Sequence, residues 1–94
     1  MPGKYRDKAT ERFANGDYVK AFSGFAYQAQ AKLELLDAAT SLEALRAIRG
    51  NRFESLKGDR AGQYSIRINN QYCICFEWDA AENRPFNIEI VDYR

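Results

Sequence analysis

A chain of 94 residues that is 46% hydrophobic, 29% charged and 14% aromatic has the make-up of one ordinary globular domain spanning residues 1–94, and it is too short for two. Folding at this length buries roughly two thirds of the unfolded surface, and thirteen aromatic residues can fill a core without disulfide or metal staples, so no cofactor is demanded. A net charge of +1 and the absence of histidine exclude imidazole-based triads and dyads, leave Lys, Tyr, Asp, Glu or a terminus for proton transfer, and argue against a protein that coats nucleic acid with its whole surface.

In chain order, residues 7–14 read as a short helix that stops at Asn15-Gly16, where glycine can take the left-handed conformation that follows a helix end. A longer helix is expected over 19–39, because Phe22, Phe25, Ala26, Ala29, Leu33 and Leu36 recur at spacings of three and four and form one apolar stripe through Gly24. Thr40-Ser41-Leu42-Glu43 has the spacing of a capping box led by Thr40, which predicts a third short helix running to 48 and ending at Gly50. Beyond Gly50 the period changes to two. A strand is expected over 53–57, then a turn-rich loop over 58–62. Tyr64, Ile66 and Ile68 alternate with Ser65, Arg67 and Asn69, and Asn69-Asn70 suits a tight hairpin turn. The return strand sets Ile74, Phe76 and Trp78 against Cys73, Cys75 and Glu77. A last strand over 86–93 sets Phe86, Ile88 and Ile90 against Asn87, Glu89, Val91 and Tyr93.

This order predicts an α+β domain with two to three N-terminal helices packed on one face of a small antiparallel sheet. The other face, carrying Ser65, Arg67, Cys73, Cys75, Glu89 and Tyr93, is expected to be the exposed working face. Cys73 and Cys75 would share that face roughly 7 Å apart at Cα, beyond easy disulfide closure. With no histidine they also fall short of a structural zinc set, which leaves them as reduced, small sheet residues. No apolar stretch approaches a membrane span and no signal pattern opens the chain, so the expected location is the cytoplasm, with no membrane partner.

Charge is unevenly distributed. Residues 46–67 hold six basic side chains (Arg46, Arg49, Arg52, Lys57, Arg60, Arg67) and two acidic ones, a net +4, while residues 77–92 hold five acidic and one basic, a net −4. An arginine patch with tyrosines nearby is a plausible surface for phosphates and unstacked bases.

The run from Gly50 through Leu56-Lys57-Gly58-Asp59-Arg60 to Asn69, the ending Asn87-Ile88-Glu89-Ile90-Val91-Asp92-Tyr93 and the upstream Leu35-Leu36-Asp37-Ala38-Ala39-Thr40 together resemble the HigB branch of the RelE toxin superfamily. That resemblance implies a RelE-like fold and the toxin of a type II toxin–antitoxin pair: a metal-independent, ribosome-dependent endonuclease that cuts mRNA through the RNA's own 2′-OH and so inhibits translation. It implies as partners the ribosome, mRNA and a HigA-type helix-turn-helix antitoxin, with operator DNA met only through the antitoxin. It makes Lys57, Cys73, Asp92, Tyr93 and Arg94 the catalytic positions, with Lys57 as base or electrostatic stabiliser and Tyr93 able to stack on a base. Arg49, Arg52, Arg60 and Arg67 become the RNA contacts. Positioning and charge stabilisation by such groups can carry this reaction.

Two positions depart from the family pattern, which ends Asp-Tyr-His where this chain has Asp92-Tyr93-Arg94 and usually has arginine where this chain has Cys73. Both replacements are reachable by one base change, and both imply an attenuated or inactive toxin. Natural divergence is the alternative, with Arg94 as a charge stabiliser that cannot release a proton, as is a non-catalytic RNA- or antitoxin-binding module of the same fold. Pro2-Gly3-Lys4-Tyr5-Arg6 replaces the apolar first strand of such toxins, and leaves an edge strand or a loose tail open.

Overall fold

The computed structural model describes residues 3–92, and in it the change of period near Gly50 is the boundary between helices and strands. Helices α1 (Lys8–Ala14), α2 (Ala26–Ala38) and α3 (Leu42–Arg46) precede strands β1 (Glu54–Ser55), β2 (Tyr64–Arg67), β3 (Tyr72–Asp79) and β4 (Arg84–Asp92). The four strands form one antiparallel sheet in the order β1-β2-β3-β4. The α+β expectation therefore holds. Phe13, Phe22, Phe25, Ala29, Leu33, Leu36 and Leu45 from the helical half meet Ile66, Ile68, Ile74, Phe76, Ile88 and Ile90 from the sheet in one core. Each fully buried side chain of this size contributes about 1.5–3 kcal/mol.

Helix α1 ends as expected, with Gly16 at φ 98° and its N–H donated to the Phe13 carbonyl at 3.1 Å. The single helix expected over 19–39 is instead two pieces, a 3-10 helix (Lys20–Phe25) and α2. Ser23 Oγ donates to the Lys20 carbonyl at 2.8 Å, a local bond that competes with the α-helical ladder beside the weak helix former Gly24. The apolar stripe survives this break because residues three apart align on a 3-10 helix, which keeps Phe22 and Phe25 inside. The cap of α3 also moves by one residue. Ser41, not Thr40, accepts the Ala44 N–H at 3.1 Å, and Glu43 lies beside Arg46 rather than reaching back.

Asn51 joins the helices to the start of the sheet. It has no exposed surface; its Oδ1 accepts from Lys32 Nζ of α2 at 2.6 Å, and its Nδ2 donates to the Leu45 carbonyl of α3 at 3.0 Å. It closes a 3-10 turn (Arg49–Asn51), after which Arg52 takes the left-handed region at φ 46°. Phe53 turns inward to stack on Tyr64, ring centroids 5.5 Å apart, with the Arg46 guanidinium 4.7 Å from its own ring centroid. The strand expected over 53–57 is consequently only two residues long, because Phe53 belongs to the core and Lys57 leads into a 3-10 turn (Gly58–Arg60).

The hairpin between β2 and β3 is wider than a two-residue turn. Asn69 Oδ1 accepts from the N–H groups of both Gln71 and Tyr72 at 2.8 Å, so an Asx-type turn sets the reversal. In β4 the expected alternation breaks at Asn87, which lies at φ 55°. Cys75 pairs with Glu89 but Glu77 pairs with Phe86, so Asn87 and Ile88 together oppose the single residue Phe76 as a β-bulge. The bulge reverses parity: Pro85 lies opposite Trp78 and is buried, while Phe86 follows Glu77 onto the face away from the helices. Phe86 is thus not a partner of Ile88 and Ile90, contrary to the period-two reading.

The amino-terminal segment adds a single parallel bridge, Tyr5 to Ile88, at this bulge. The Asn87 and Ile88 N–H groups donate to the Gly3 and Lys4 carbonyls, and the Arg6 N–H donates to Ile88. Just beyond, the buried Thr10 Oγ1 of α1 accepts the Ile90 N–H at 3.1 Å.

Candidate functional site

Strand register determines what faces away from the helices. Glu54, Ser65, Cys75 and Glu89 are cross-strand partners in one row, and Arg67, Cys73 and Val91 form the next. Over these rows lies a cleft of about 390 Å³, lined by Arg52, Glu54, Leu56, Arg60, Ser65, Arg67, Cys73, Cys75, Val91 and Asp92. The face is concave rather than openly exposed. Ser65, Cys73 and Cys75 are buried although they border the cleft.

Each cleft arginine is placed differently. Arg67 Nε donates to the Asn69 carbonyl at 3.1 Å and its Nη2 to Asn70 Oδ1, which tethers the guanidinium along the β2–β3 turn. Arg60 Nη1 donates to Gln63 Oε1 at 2.9 Å and to Glu89 Oε1 at 3.3 Å. Glu89 also faces Arg6 Nε at 3.8 Å, so it stands between two cations. Arg52 owes its position to the left-handed backbone after the Asn51 anchor. At the end of β4, Asp92 Oδ2 accepts from Gln71 Nε2 at 2.8 Å.

The Cys73 and Cys75 Sγ atoms lie 3.9 Å apart on the floor. That contact first, and burial second, push the Cys73 thiol up, whereas the same contact and the Arg60 guanidinium pull Cys75 down. Cys73 therefore supplies no positive charge and no proton-transfer group at neutral pH. An arginine at this position would start from between Arg67 and Val91.

Of the residues singled out in the sequence, Arg52, Arg60, Arg67, Cys73 and Asp92 converge on the cleft. Lys57 and Arg49 do not line it: both are exposed, Lys57 ahead of the Gly58–Arg60 turn and Arg49 in the turn before Arg52. Tyr93 and Arg94 lie outside the described residues. Glu54 and Leu56 were not singled out, because a two-residue strand carries no readable period, yet both border the cleft. With three arginines against Glu54 and Asp92 the lining keeps a net positive charge, suited to a phosphate held by fixed guanidinium donors. Among the described residues no group of three or more Cys, Asp or Glu is placed to hold a metal ion, and no helix is long and apolar enough to cross a membrane.

Fold and site together define a small α+β protein with a cationic cleft cut into the sheet face opposite its helices. The model of the RelE-like toxin of type II toxin–antitoxin system HigB matches residues 3–93. Over 80 residues the chain is 40% identical to Toxin HigB-1 of Vibrio cholerae, covering 83% of this chain and 84% of that one. It is 32% identical, again over 80 residues, to an uncharacterized protein of Haemophilus influenzae, covering 79% of that protein. Among solved structures, the YoeB–YefM complex from Staphylococcus aureus contains a chain that superposes with a TM-score of 0.58 at 26% identity, covering 97% of this chain and 93% of that one. The chain belongs to the HigB family of RelE-like toxins of type II toxin–antitoxin systems.

Proposed function

We propose that this toxin acts on mRNA at the ribosome as a metal-independent endonuclease, in an attenuated form, and that a HigA-type helix-turn-helix antitoxin holds it in check in the cytoplasm. The observation that carries the reading is the convergence of Arg52, Arg60, Arg67 and Asp92 around Cys73 in one cleft. Arginines held by neighbouring side chains and carbonyls, as Arg60 and Arg67 are, stabilise the extra charge of a phosphodiester transition state without reorganising. The attacking group is the RNA's own 2′-OH, so the protein has to orient the phosphate and manage protons, with Asp92, Tyr93 and Arg94 as the C-terminal cluster and Lys57, exposed ahead of the Gly58–Arg60 turn, as base or electrostatic stabiliser. Arg49 extends the basic surface outside the cleft. Operator DNA is reached through the antitoxin alone.

Attenuation follows from Cys73, a largely neutral thiol on the cleft floor, and from Arg94, which cannot donate a proton as a histidine does. The same neutral floor favours a second reading, in which this chain binds RNA or antitoxin and cuts nothing. Primer extension on a message undergoing translation separates the two, with this chain compared with Cys73→Arg, Arg94→His and the double variant. Cleavage that rises by about 10²–10³ in rate on restoring an electrostatic stabiliser supports an attenuated nuclease. Cleavage only by the double variant supports the binding module for this chain. Equal cleavage by all four removes attenuation, and none by any of them removes the nuclease.

A further inference from the structure

The register that builds the cleft also sets two thiols side by side whose sulfur chemistry the RNA reading does not use. Cys73 and Cys75 project from the same face of β3, with Sγ atoms 3.9 Å apart, and both border the cleft. Their separation is nearly twice a disulfide bond of about 2.05 Å. Alternate residues of an extended strand lie roughly 7 Å apart at Cα, at the limit of what a disulfide can bridge without moving the backbone. Two metal–sulfur bonds of about 2.3 Å each, by contrast, span this gap as a bent unit, and a small spreading of the side chains makes it linear. Among the described residues no third Cys, Asp or Glu completes a metal-binding group. The pair offers two sulfurs and no tetrahedral set, which disfavours zinc and matches the preference of thiolates for Cu(I).

We propose that Cys73 and Cys75 form a two-coordinate site for a soft monovalent cation, with Cu(I) as its biological occupant, on the floor of the cleft. Binding exchanges protons for metal: two thiols and one cation give a bis-thiolate complex of charge −1 and two released protons. The Arg60 guanidinium, which favours both thiolates against the Glu54 and Glu89 carboxylates, offsets part of that negative charge. The bound cation lies beside Arg67 and Val91, the cross-strand partners of Cys73, and narrows the cleft there. The site does not rest on the cleft being an RNA path. A chain that cuts no message still binds the cation, so the two readings fail separately.

The test is an anaerobic titration of the full chain with Ag(I) in chloride-free buffer, a redox-inert probe, followed by native mass spectrometry and proton release. One Ag(I) per chain with two protons released is expected, and Cu(I) presented by a chromophoric chelator is withdrawn with the same stoichiometry. Cys73→Ser and Cys75→Ser, with Cys75→Ala as a second variant should the serine disturb the fold, each weaken binding by more than about 100-fold, and Arg60→Gln weakens it by roughly tenfold. Two cations per chain, one cation shared between two chains, or unchanged affinity in a folded single-cysteine variant overturns the proposal.

Discussion

Replacing Asn51 by alanine tests how the helical half fixes the cleft. The side chain is fully buried and makes two hydrogen bonds, accepting from Lys32 Nζ at 2.6 Å and donating to the Leu45 carbonyl at 3.0 Å. The neutral bond is worth about 1 kcal/mol and the charge-assisted one about 1.5–3 kcal/mol. Lys32 is only half-buried and recovers part of its hydration, so Asn51→Ala is expected to cost about 2–3 kcal/mol. For a chain of this size that moves the urea midpoint down by roughly 1.5–2 M at unchanged slope. Burial also holds the Lys32 pKa below 10.5, so the unfolded chain binds the proton more tightly. The penalty on stability is full below the folded pKa and fades as pH rises through it towards 10.5. Wild type should therefore gain on Lys32→Met over that alkaline interval. In a double-mutant cycle the coupling of Asn51→Ala with Lys32→Met should reach about 1 kcal/mol or more. A loss below about 0.5 kcal/mol for Asn51→Ala, or additivity in the cycle, would refute the anchor.

Thr10→Val keeps the shape but leaves the Ile90 N–H without its acceptor; a loss of about 1–3 kcal/mol and faster hydrogen exchange at Ile90 are expected, and unchanged exchange would count against the bond. Asn87→Val places a β-branched residue at φ 55° and should destabilise by about 2 kcal/mol or more, whereas Asn87→Gly should cost clearly less; thermal melts decide. In cells expressing the Cys73→Arg form without antitoxin, Arg67→Ala should relieve growth arrest strongly and Arg49→Ala little, because Arg67 lines the cleft and Arg49 does not; equal relief would contradict the assignment.

Where the chain follows a regular period, the sequence is a good guide. The stripe Ala29, Leu33, Leu36 and the alternation of Ile74 and Phe76 with the two cysteines are found as expected, since one face of each element packs into the shared core. The misses lie where a local side-chain bond or a backbone irregularity outweighs the pattern. Ser23 turns the first helix segment into a 3-10 helix, Ser41 displaces Thr40 as the cap, and Asn87 shifts the face of Phe86. The cleft was half legible for the same reason. Arg67 and Cys73 sit on regular strands, so their face could be read directly. Glu54 and Leu56 carry no readable period, because turns rather than periods decide where residues 52–60 point.

The bridge at Tyr5 has a consequence for how any partner can attach. Along the outer side of β4, the carbonyls of Gly3 and Lys4 and the hydroxyl of Thr10 take the N–H groups of Asn87, Ile88 and Ile90, and Ile88 in turn receives the N–H of Arg6. The opposite margin of the sheet is β1, two residues long. Among the described residues neither side offers a long open row of donors and acceptors on which a foreign strand could zip. A protein that captured this one by strand addition would first have to peel residues 3–6 away from β4, so binding through faces and grooves is the cheaper route.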